Sequence, residues 1–156
     1  MKVQDVMTND VGFCLLTDDL TKAAGVMRQR DCGIVPILDA EKRVVGVITD
    51  RDVGIAVASR DCKPSEIKVE DFCREKIIVC EPNEKINDAL KKMRKNQIKR
   101  LPVTSQSGEL VGIISITDIL STTSKNKSKN KKLRKKIIST LMGIGKPRPI
   151  LLQEIE

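Results

Sequence analysis

The sequence predicts an α/β (α+β) fold in which two β-α-β-β-α repeats pack sheet to sheet with pseudo-twofold symmetry. An offset of 66 residues aligns the chain with itself, without a gap, from Lys2 to Asp118. Identical residues in this alignment are accompanied by apolar residues that stay in register, which indicates an internal repeat. One copy spans about 55 residues, a size at which a single core is marginal, so the two copies are expected to pack closely together.

The first copy contains an apolar segment, a helix, two strands and a closing helix. Residues 11–16 are apolar and β-prone, and the apolar positions of residues 20–27 fall at helical spacing. Residues 34–38 and 44–48 are short apolar runs that predict strands. The segment 50–58 then predicts the closing helix.

The second copy has the same order. Residues 76–80 predict the first strand, and residues 86–93 have the apolar spacing of a helix. Further strands are predicted at residues 101–103 and 110–114, followed by a closing helix at 116–122. The whole chain is therefore divided into a first repeat, a connector, a second repeat and a basic C-terminal tail, partly helical or flexible, with bounds 1–58, 59–68, 69–122 and 123–156.

The positive charge of the chain is concentrated in the tail. The formal net charge is +8, and ten of the 29 Lys and Arg residues lie between Lys125 and Arg148, where the sequence has no Asp or Glu. The folded body is therefore close to neutral. Within the tail, apolar residues at helical spacing predict a short basic amphipathic helix, formed by Leu133, Ile137, Ile138 and Leu141.

The composition excludes several classes of function. The chain has no histidine, which excludes Ser-His-Asp and Cys-His catalysis and His-ligated zinc. It has no Trp or Tyr and only two Phe, which argues against a base-stacking platform for single-stranded nucleic acid. The five cysteines are odd in number and none are spaced Cys-x-x-Cys, so they are interpreted as free thiols in a reducing cytoplasm. No secretory signal, membrane span or metal site is predicted.

One motif recurs at the end of the third strand of each copy. It is Gly-h-h-[Ser/Thr]-x-x-Asp, where h is apolar, and it covers residues 46–52 and 112–118. The strand presents a hydroxyl, the following helix begins with free backbone N–H groups that attract an anion, and the Asp one turn later can accept hydrogen bonds from a ribose diol. The alternative is a capping box that only stabilises the helix N-terminus.

This combination resembles a cystathionine-β-synthase (CBS) domain pair, also called a Bateman module. The resemblance covers about residues 1–122 and rests on the opening Val3-x-Asp5-Val6-Met7-Thr8, the Ala23-Ala24-x-x-Met27 helix, Val35-Pro36-Ile37 and the repeated motif. It implies two pseudo-symmetric clefts between the repeats that bind AMP, ADP, ATP or S-adenosylmethionine.

The resemblance also implies roles for individual residues. Thr49 and Asp52 would contact the ribose or phosphate in one site, and Ser115 and Asp118 in the other. Apolar strand backbone, with Ile34 and Ile78, would enclose the adenine. Basic residues before the second strand would contact phosphate; these are Lys99 and Arg100 in the second repeat, where the first repeat has Gly33 and Ile34. The second site is therefore expected to prefer phosphorylated ligands, with Arg51 as a further phosphate contact in the first.

The expected function is a non-catalytic, cytoplasmic regulatory module. The resemblance implies a homodimer that binds an adenine nucleotide, accompanied by Mg²⁺ if the ligand is ATP, uses no prosthetic group, and transmits occupancy to a protein partner. The tail is expected to be dispensable for nucleotide binding. The alternative is an adaptor that binds nucleic acid or an anionic surface through this basic tail.

Overall fold

The computed structural model describes residues 1–73, 76–123 and 130–147. The first repeat has three strands and two helices: β1 Cys14–Leu15, α1 Leu20–Arg30, β2 Ile34–Leu38, β3 Val44–Thr49 and α2 Asp50–Arg60. The second repeat has α3 Ile86–Asn96, β4 Arg100–Thr104, β5 Leu110–Ser115 and α4 Ile116–Thr122, and the helix α5 Lys131–Ile144 follows. The predicted mixed α and β fold with two repeats is confirmed.

Each repeat has a small sheet built in the same way. In the first, β2 pairs in parallel with β1 and antiparallel with β3. In the second, β4 pairs antiparallel with β5, and the first strand is reduced to a parallel bridge between Cys80 and Val103. The continuous apolar runs of these strands form two hydrophobic cores, one per repeat.

The opening segments of the two repeats are exchanged. Val3–Asp5 and Val69–Phe72 are short 3₁₀ helices at equivalent positions. The backbone N–H of Val3 donates to the carbonyl of Glu84 over 2.9 Å, and Val3 lies in the core of the second repeat. The N–H of Val69 donates to the carbonyl of Asp18 over 3.0 Å, and Val69 lies in the core of the first. Each opening segment therefore completes the other repeat.

The turns between the paired strands also join the repeats. The N–H of Val44 donates to the carbonyl of Gly108 over 3.0 Å, and the N–H of Leu110 donates to that of Lys42 over 3.2 Å. Lys42 and Gly108 have φ angles of 61° and 87°, so both turns use the left-handed region to make this approach. Two backbone connections thus fix the ends of β3 and β5 relative to each other.

Helix α5 packs against α3 and α4 of the second repeat. Ile137 is 1% exposed and belongs to the core of that repeat, whereas Ile138 and Leu141 are 58% and 41% exposed. The predicted helix is present, but the predicted apolar face is only partly the buried one. The buried side of α5 consists of Ile137, Thr140 and Gly143. Thr140 and Gly143 are small, so this side of the helix can come closer to α3 than a side made of larger apolar residues could. No helix within the described residues is long and apolar enough to cross a membrane.

Candidate functional site

A cleft of about 770 Å³ lies between the two repeats and combines residues from both. The first repeat contributes the ends of β2 and β3 and the start of α2; the second contributes the segment before α3 and the residues that lead into β4. The sequence-predicted site residues in its lining are Ile34, Thr49, Arg51, Asp52, Ile78, Lys99 and Arg100. The structure therefore brings together seven of the nine predicted residues.

Thr49 and Asp52 form a capping box at the start of α2. The backbone N–H and the hydroxyl of Thr49 both donate to Oδ2 of Asp52, over 2.9 and 2.6 Å. The N–H of Asp52 donates to the Thr49 hydroxyl oxygen over 3.2 Å. The capping-box interpretation is therefore confirmed, and the ribose-binding interpretation stays a prediction: the box occupies Oδ2, and the carboxylate has a second oxygen, Oδ1, with lone pairs of its own.

The N–H groups at the start of α2 already have partners. Those of Asp50 and Arg51 donate to the carbonyl of Gly33 over 3.3 Å and to Oδ1 of Asp50 over 2.8 Å, and that of Asp52 donates to Thr49 as described. The expectation that this helix offers free N–H groups to an anion is therefore wrong for α2. The cause is that the Gly33 carbonyl, the Asp50 carboxylate and the Thr49 hydroxyl already accept these hydrogen bonds.

Side-chain cations supply the positive charge of the cleft. Arg51, Lys76, Lys99 and Arg100 line it, against the carboxylates Asp50 and Asp52. The lining therefore carries a formal excess of two positive charges. Such a cleft favours an anionic ligand.

The expected division of charge between two sites is corrected. The sequence placed Lys99 and Arg100 with Ser115 and Asp118, and Arg100 does lie opposite Ser115 in the β4–β5 ladder. Because the repeats face each other, the same two cations also line the cleft that holds Thr49 and Asp52. The site of the first motif thus receives three of its four cations from the second repeat and is not poor in positive charge.

The second motif has the same local geometry in different surroundings. The N–H and hydroxyl of Ser115 donate to Oδ2 of Asp118, over 2.8 and 2.7 Å. Neither residue is part of the 770 Å³ cleft. The strand before this motif is paired with Thr8, since the N–H groups of Thr8 and Ile113 each donate to the other's carbonyl over 2.9 Å.

Besides Asp50 and several strand residues, the sequence analysis missed four further contributors to the cleft. Lys76, Gln97 and Ile98 precede strands of the second repeat, and Ile144 belongs to α5. Lys76 and Ile98 lie at the edges of predicted strands and close in sequence to the predicted site residues Ile78 and Lys99. This proximity could have indicated that they line the same site. Ile144 comes from the tail, so the tail contributes to the lining of the cleft, and its dispensability for nucleotide binding stays a prediction.

The cysteines and carboxylates offer no assembled reactive group in the part of the chain that the structure describes. All five thiols are free. Burial, reinforced by Asp18, raises the pKa of Cys14 to about 11, and burial, reinforced by Glu84, raises the pKa of Cys80 to about 12. Among residues 1–73, 76–123 and 130–147, no three Cys, Asp or Glu side chains are placed to hold a metal ion.

The comparisons with known proteins agree with this geometry. A family model described as the CBS domain matches residues 3–58 and 69–124. The uncharacterised protein YlbB of Bacillus subtilis is 33% identical over 122 residues, which cover 76% of this chain and 79% of that protein. Hypoxic response protein 1 of Mycobacterium tuberculosis is 33% identical over 116 residues, covering 74% of this chain and 80% of that one.

Solved structures share the fold. Hypoxic Response Protein I, crystallised with two coordinated zinc ions, matches with a TM-score of 0.71 and 30% identity, over 78% of this chain and 98% of that chain. The CBS domain pair of protein MJ0100, in complex with 5′-methylthioadenosine and S-adenosyl-L-methionine, matches with a TM-score of 0.72 and 22% identity, over 80% of this chain and 97% of that one.

Proposed function

The chain belongs to the CBS domain family, with two copies of the domain, and from this premise we propose that it is a non-catalytic regulatory module that binds an adenosine-containing ligand in the cleft between its repeats. The candidate ligands are AMP, ADP, ATP and S-adenosylmethionine. The observation that carries the proposal is the meeting, in one cleft, of the first motif with apolar strand residues and with cations of the opposite repeat.

Each part of the ligand has a chemical counterpart in the cleft. Ile34 and Ile78 lie on opposite repeats and provide apolar surface for the two faces of an adenine ring. Oδ1 of Asp52 accepts hydrogen bonds from the ribose hydroxyls, while the capping box fixes the carboxylate through Oδ2. Fixing the acceptor in advance reduces the entropy that is lost when the ligand binds.

The charge of the cleft favours phosphorylated ligands over S-adenosylmethionine. The backbone donors of α2 are occupied and the Thr49 hydroxyl donates to Asp52, so phosphate recognition falls to side chains. Arg51, Lys99 and Arg100 can make charge-assisted hydrogen bonds to phosphate oxygens. A sulfonium cation gains nothing from these residues. Mg²⁺ belongs to the proposal only as the counterion of bound ATP, and no prosthetic group is part of it.

Regulation is proposed to act through a homodimer and a protein partner. The closing helices present exposed apolar side chains, with Ile55 of α2 and Leu120 of α4 at 54% and 45% exposure, and these are available to a second copy. The ligand acts on the assembly only if it binds one arrangement of the repeats more tightly than another. Because the cleft has walls from both repeats, occupancy favours the arrangement in which the walls close on the ligand.

Calorimetry on the intact chain tests the proposal with a matched pair of variants. Asp52→Asn keeps an oxygen for the capping box but replaces the outward acceptor, and is expected to weaken AMP or ATP binding about tenfold or more. Asp118→Asn makes the same change in the equivalent capping box outside the cleft and controls for stability. The proposal fails if none of AMP, ADP, ATP and S-adenosylmethionine binds, or if both variants bind as tightly as the parent protein.

A further inference from the structure

The groove between α3 and α5 has a composition unlike that of the adenosine cleft. It has a volume of about 450 Å³, and its lining comprises Lys91, Arg94, Lys95, Gln97, Gly143 and Lys146. Four of these six residues are cations and none is Asp or Glu. We propose that this groove binds the phosphodiester backbone of a nucleic acid, without reading its bases, through cations that are not part of the cleft, although Gln97 lines both.

The positive charge of the groove is only weakly compensated. Asp88 pairs with Lys91 over 2.8 Å, but the two side chains are 45% and 78% exposed. An ion pair so exposed to water is weak and is screened by salt. The cations of both helices act on this carboxylate: Lys91 first, and also Lys85 and Lys136, hold the pKa of Asp88 below its usual value. A phosphate group can therefore replace Asp88 as the partner of Lys91 with little loss of interaction free energy.

Contacts across the groove hold its two walls in place. The guanidinium of Arg94 donates to the Ser139 hydroxyl over 3.0 Å. A Cβ atom on Gly143 would come within 2.5 Å of Cγ of Arg94, so only glycine allows the arginine stem to cross α5 here. The Gln97 side-chain amide donates to the carbonyl of Lys146 over 2.8 Å. A guanidinium has five N–H donors, and the bond to Ser139 uses one, so Arg94 is positioned and still able to bind phosphate.

The cationic groove lies on the second repeat, and the equivalent face of the first repeat has a different composition. The positions 66 residues before Lys91, Arg94 and Lys95 are Gly25, Arg28 and Gln29, so the equivalent face of α1 has one cation. A Cβ atom on Gly25 would meet no atom within 4 Å, and α5 packs on α3 instead. The charge and the second wall therefore occur together, on the same repeat.

The chemistry of the surface favours a phosphate chain over a membrane. The exposed apolar residues of α5, Ile138, Leu141 and Met142, are not part of the groove lining. The lining of the groove offers cations to a phosphate chain and no large apolar side chain for insertion into a bilayer. The groove lining has no aromatic residue on which bases could stack, so binding comes from charge and is independent of sequence.

The test is fluorescence anisotropy of a labelled, mixed-sequence single-stranded DNA with the full chain, between 50 and 200 mM salt. The double variant Lys91→Gln, Lys95→Gln is compared with Lys22→Gln, Arg28→Gln, which removes the same charge from α1. The groove variant is expected to lower the slope of log affinity against log salt by about 1.4, and to weaken binding on the order of tenfold. Circular dichroism verifies that both variants are folded.

A third variant and two competitors distinguish a nucleic acid from other phosphate-containing ligands. A third variant, Lys125→Gln, Lys127→Gln, Lys129→Gln, neutralises the basic sequence before α5. Inorganic polyphosphate and anionic phosphatidylserine vesicles are added as competitors. Loss of binding in the groove variant, with the α1 control unchanged, supports the proposal. It is overturned if the groove variant binds like the parent, if only the third variant loses binding, or if polyphosphate or vesicles bind more tightly than DNA. The anisotropy and competition measurements involve no adenosine ligand, so their outcome does not depend on whether the proposed function is correct.

Discussion

Val3 and Val69 occupy equivalent positions 66 residues apart, and each is fully buried in the core of the repeat to which the other belongs in the sequence. Val3 packs with the residues around α3 and β4, and Val69 packs with those around α1 and β2. The two repeats are thus joined by an exchange of their opening segments as well as by the turns at Lys42 and Gly108.

The exchange predicts that truncating either valine weakens the opposite repeat. Val3→Ala and Val69→Ala should each lower the free energy of unfolding by about 2 kcal/mol, because each leaves a cavity in a closed core. Hydrogen exchange gives the location: Val3→Ala should speed exchange in α3, and Val69→Ala in α1. Faster exchange in α1 of the Val3→Ala protein, with α3 unchanged, would contradict the assignment.

The approach of an opening segment to β5 leaves no room for a side chain at Gly112. A Cβ atom there would lie 2.9 Å from both the carbonyl oxygen of Thr8 and Sδ of Met7. Gly112→Ala should therefore lower stability by about 1–3 kcal/mol, seen as a lower midpoint in urea unfolding. Gly54→Ala is the control, since Gly54 lies in α2 with no atom within 4 Å of its Cβ position. It should raise stability by about 0.5–1 kcal/mol, and equal losses in both variants would disprove the steric argument.

Two neighbouring residues of α5 test how that helix docks. Ile137 is 1% exposed and Ile138 is 58% exposed. Ile137→Ala should weaken the docking of α5 by about 3 kcal/mol, while Ile138→Ala should change it by less than about 0.5 kcal/mol. Limited proteolysis of α5 under native conditions is the measurement. Equal sensitivity of the two variants to protease would mean that α5 is held by its polar contacts and not by this side chain.

The cations from the second repeat should act on phosphate in the cleft. Lys99→Ala with Arg100→Ala is expected to weaken ATP binding by about tenfold or more, and adenosine binding by less than about threefold, because only ATP loses charge-assisted hydrogen bonds. Calorimetry measures both ligands. Lys63→Ala with Lys68→Ala removes the same charge from exposed positions on the connector. An equal loss for adenosine and ATP would show that Lys99 and Arg100 act through packing.

The raised pKa values of Cys14 and Cys80 predict selective alkylation. With pKa values of about 11 and 12, these thiols stay protonated near pH 8, and they are 0% and 1% exposed. Iodoacetamide should modify Cys32 or Cys62 of the folded protein and reach Cys14 and Cys80 only after denaturation. Peptide mass mapping with and without guanidinium provides the measurement. Modification of Cys80 in the folded protein at the rate of Cys62 would contradict this expectation.

The order of strands and helices was predictable because it depends on local spacing. The apolar residues within 20–27 recur at helical spacing and predict α1, and the uninterrupted apolar run of residues 44–48 predicts β3. The exchange of opening segments was not predictable. A 66-residue offset shows that Val3 and Val69 are equivalent, but two equivalent segments satisfy the same pattern whether each packs on its own repeat or on the other.

The sequence predicted many residues that line the cleft but not their arrangement, and their contact with a ligand stays a prediction. The motif pointed to Thr49 and Asp52, and the basic pair at the start of β4 pointed to Lys99 and Arg100. Which motif those cations serve depends on how the repeats face each other, and linear sequence contains no such information. The donors of α2 were misjudged for a different reason: the aspartate that follows Thr49 accepts the N–H of Arg51, a competition that motif spacing does not reveal.

The exchange of opening segments also determines when each core can close during synthesis of the chain. The first repeat lacks Ile67 and Val69 until the ribosome has passed the connector, so its core stays open after its last helix has emerged. The segment that contains Val3 must meanwhile remain accessible until α3, β4 and β5 have been made. Long-range closure of this kind slows folding. The chain is therefore expected to acquire resistance to protease in one step, after β5 has been made, and not one repeat at a time.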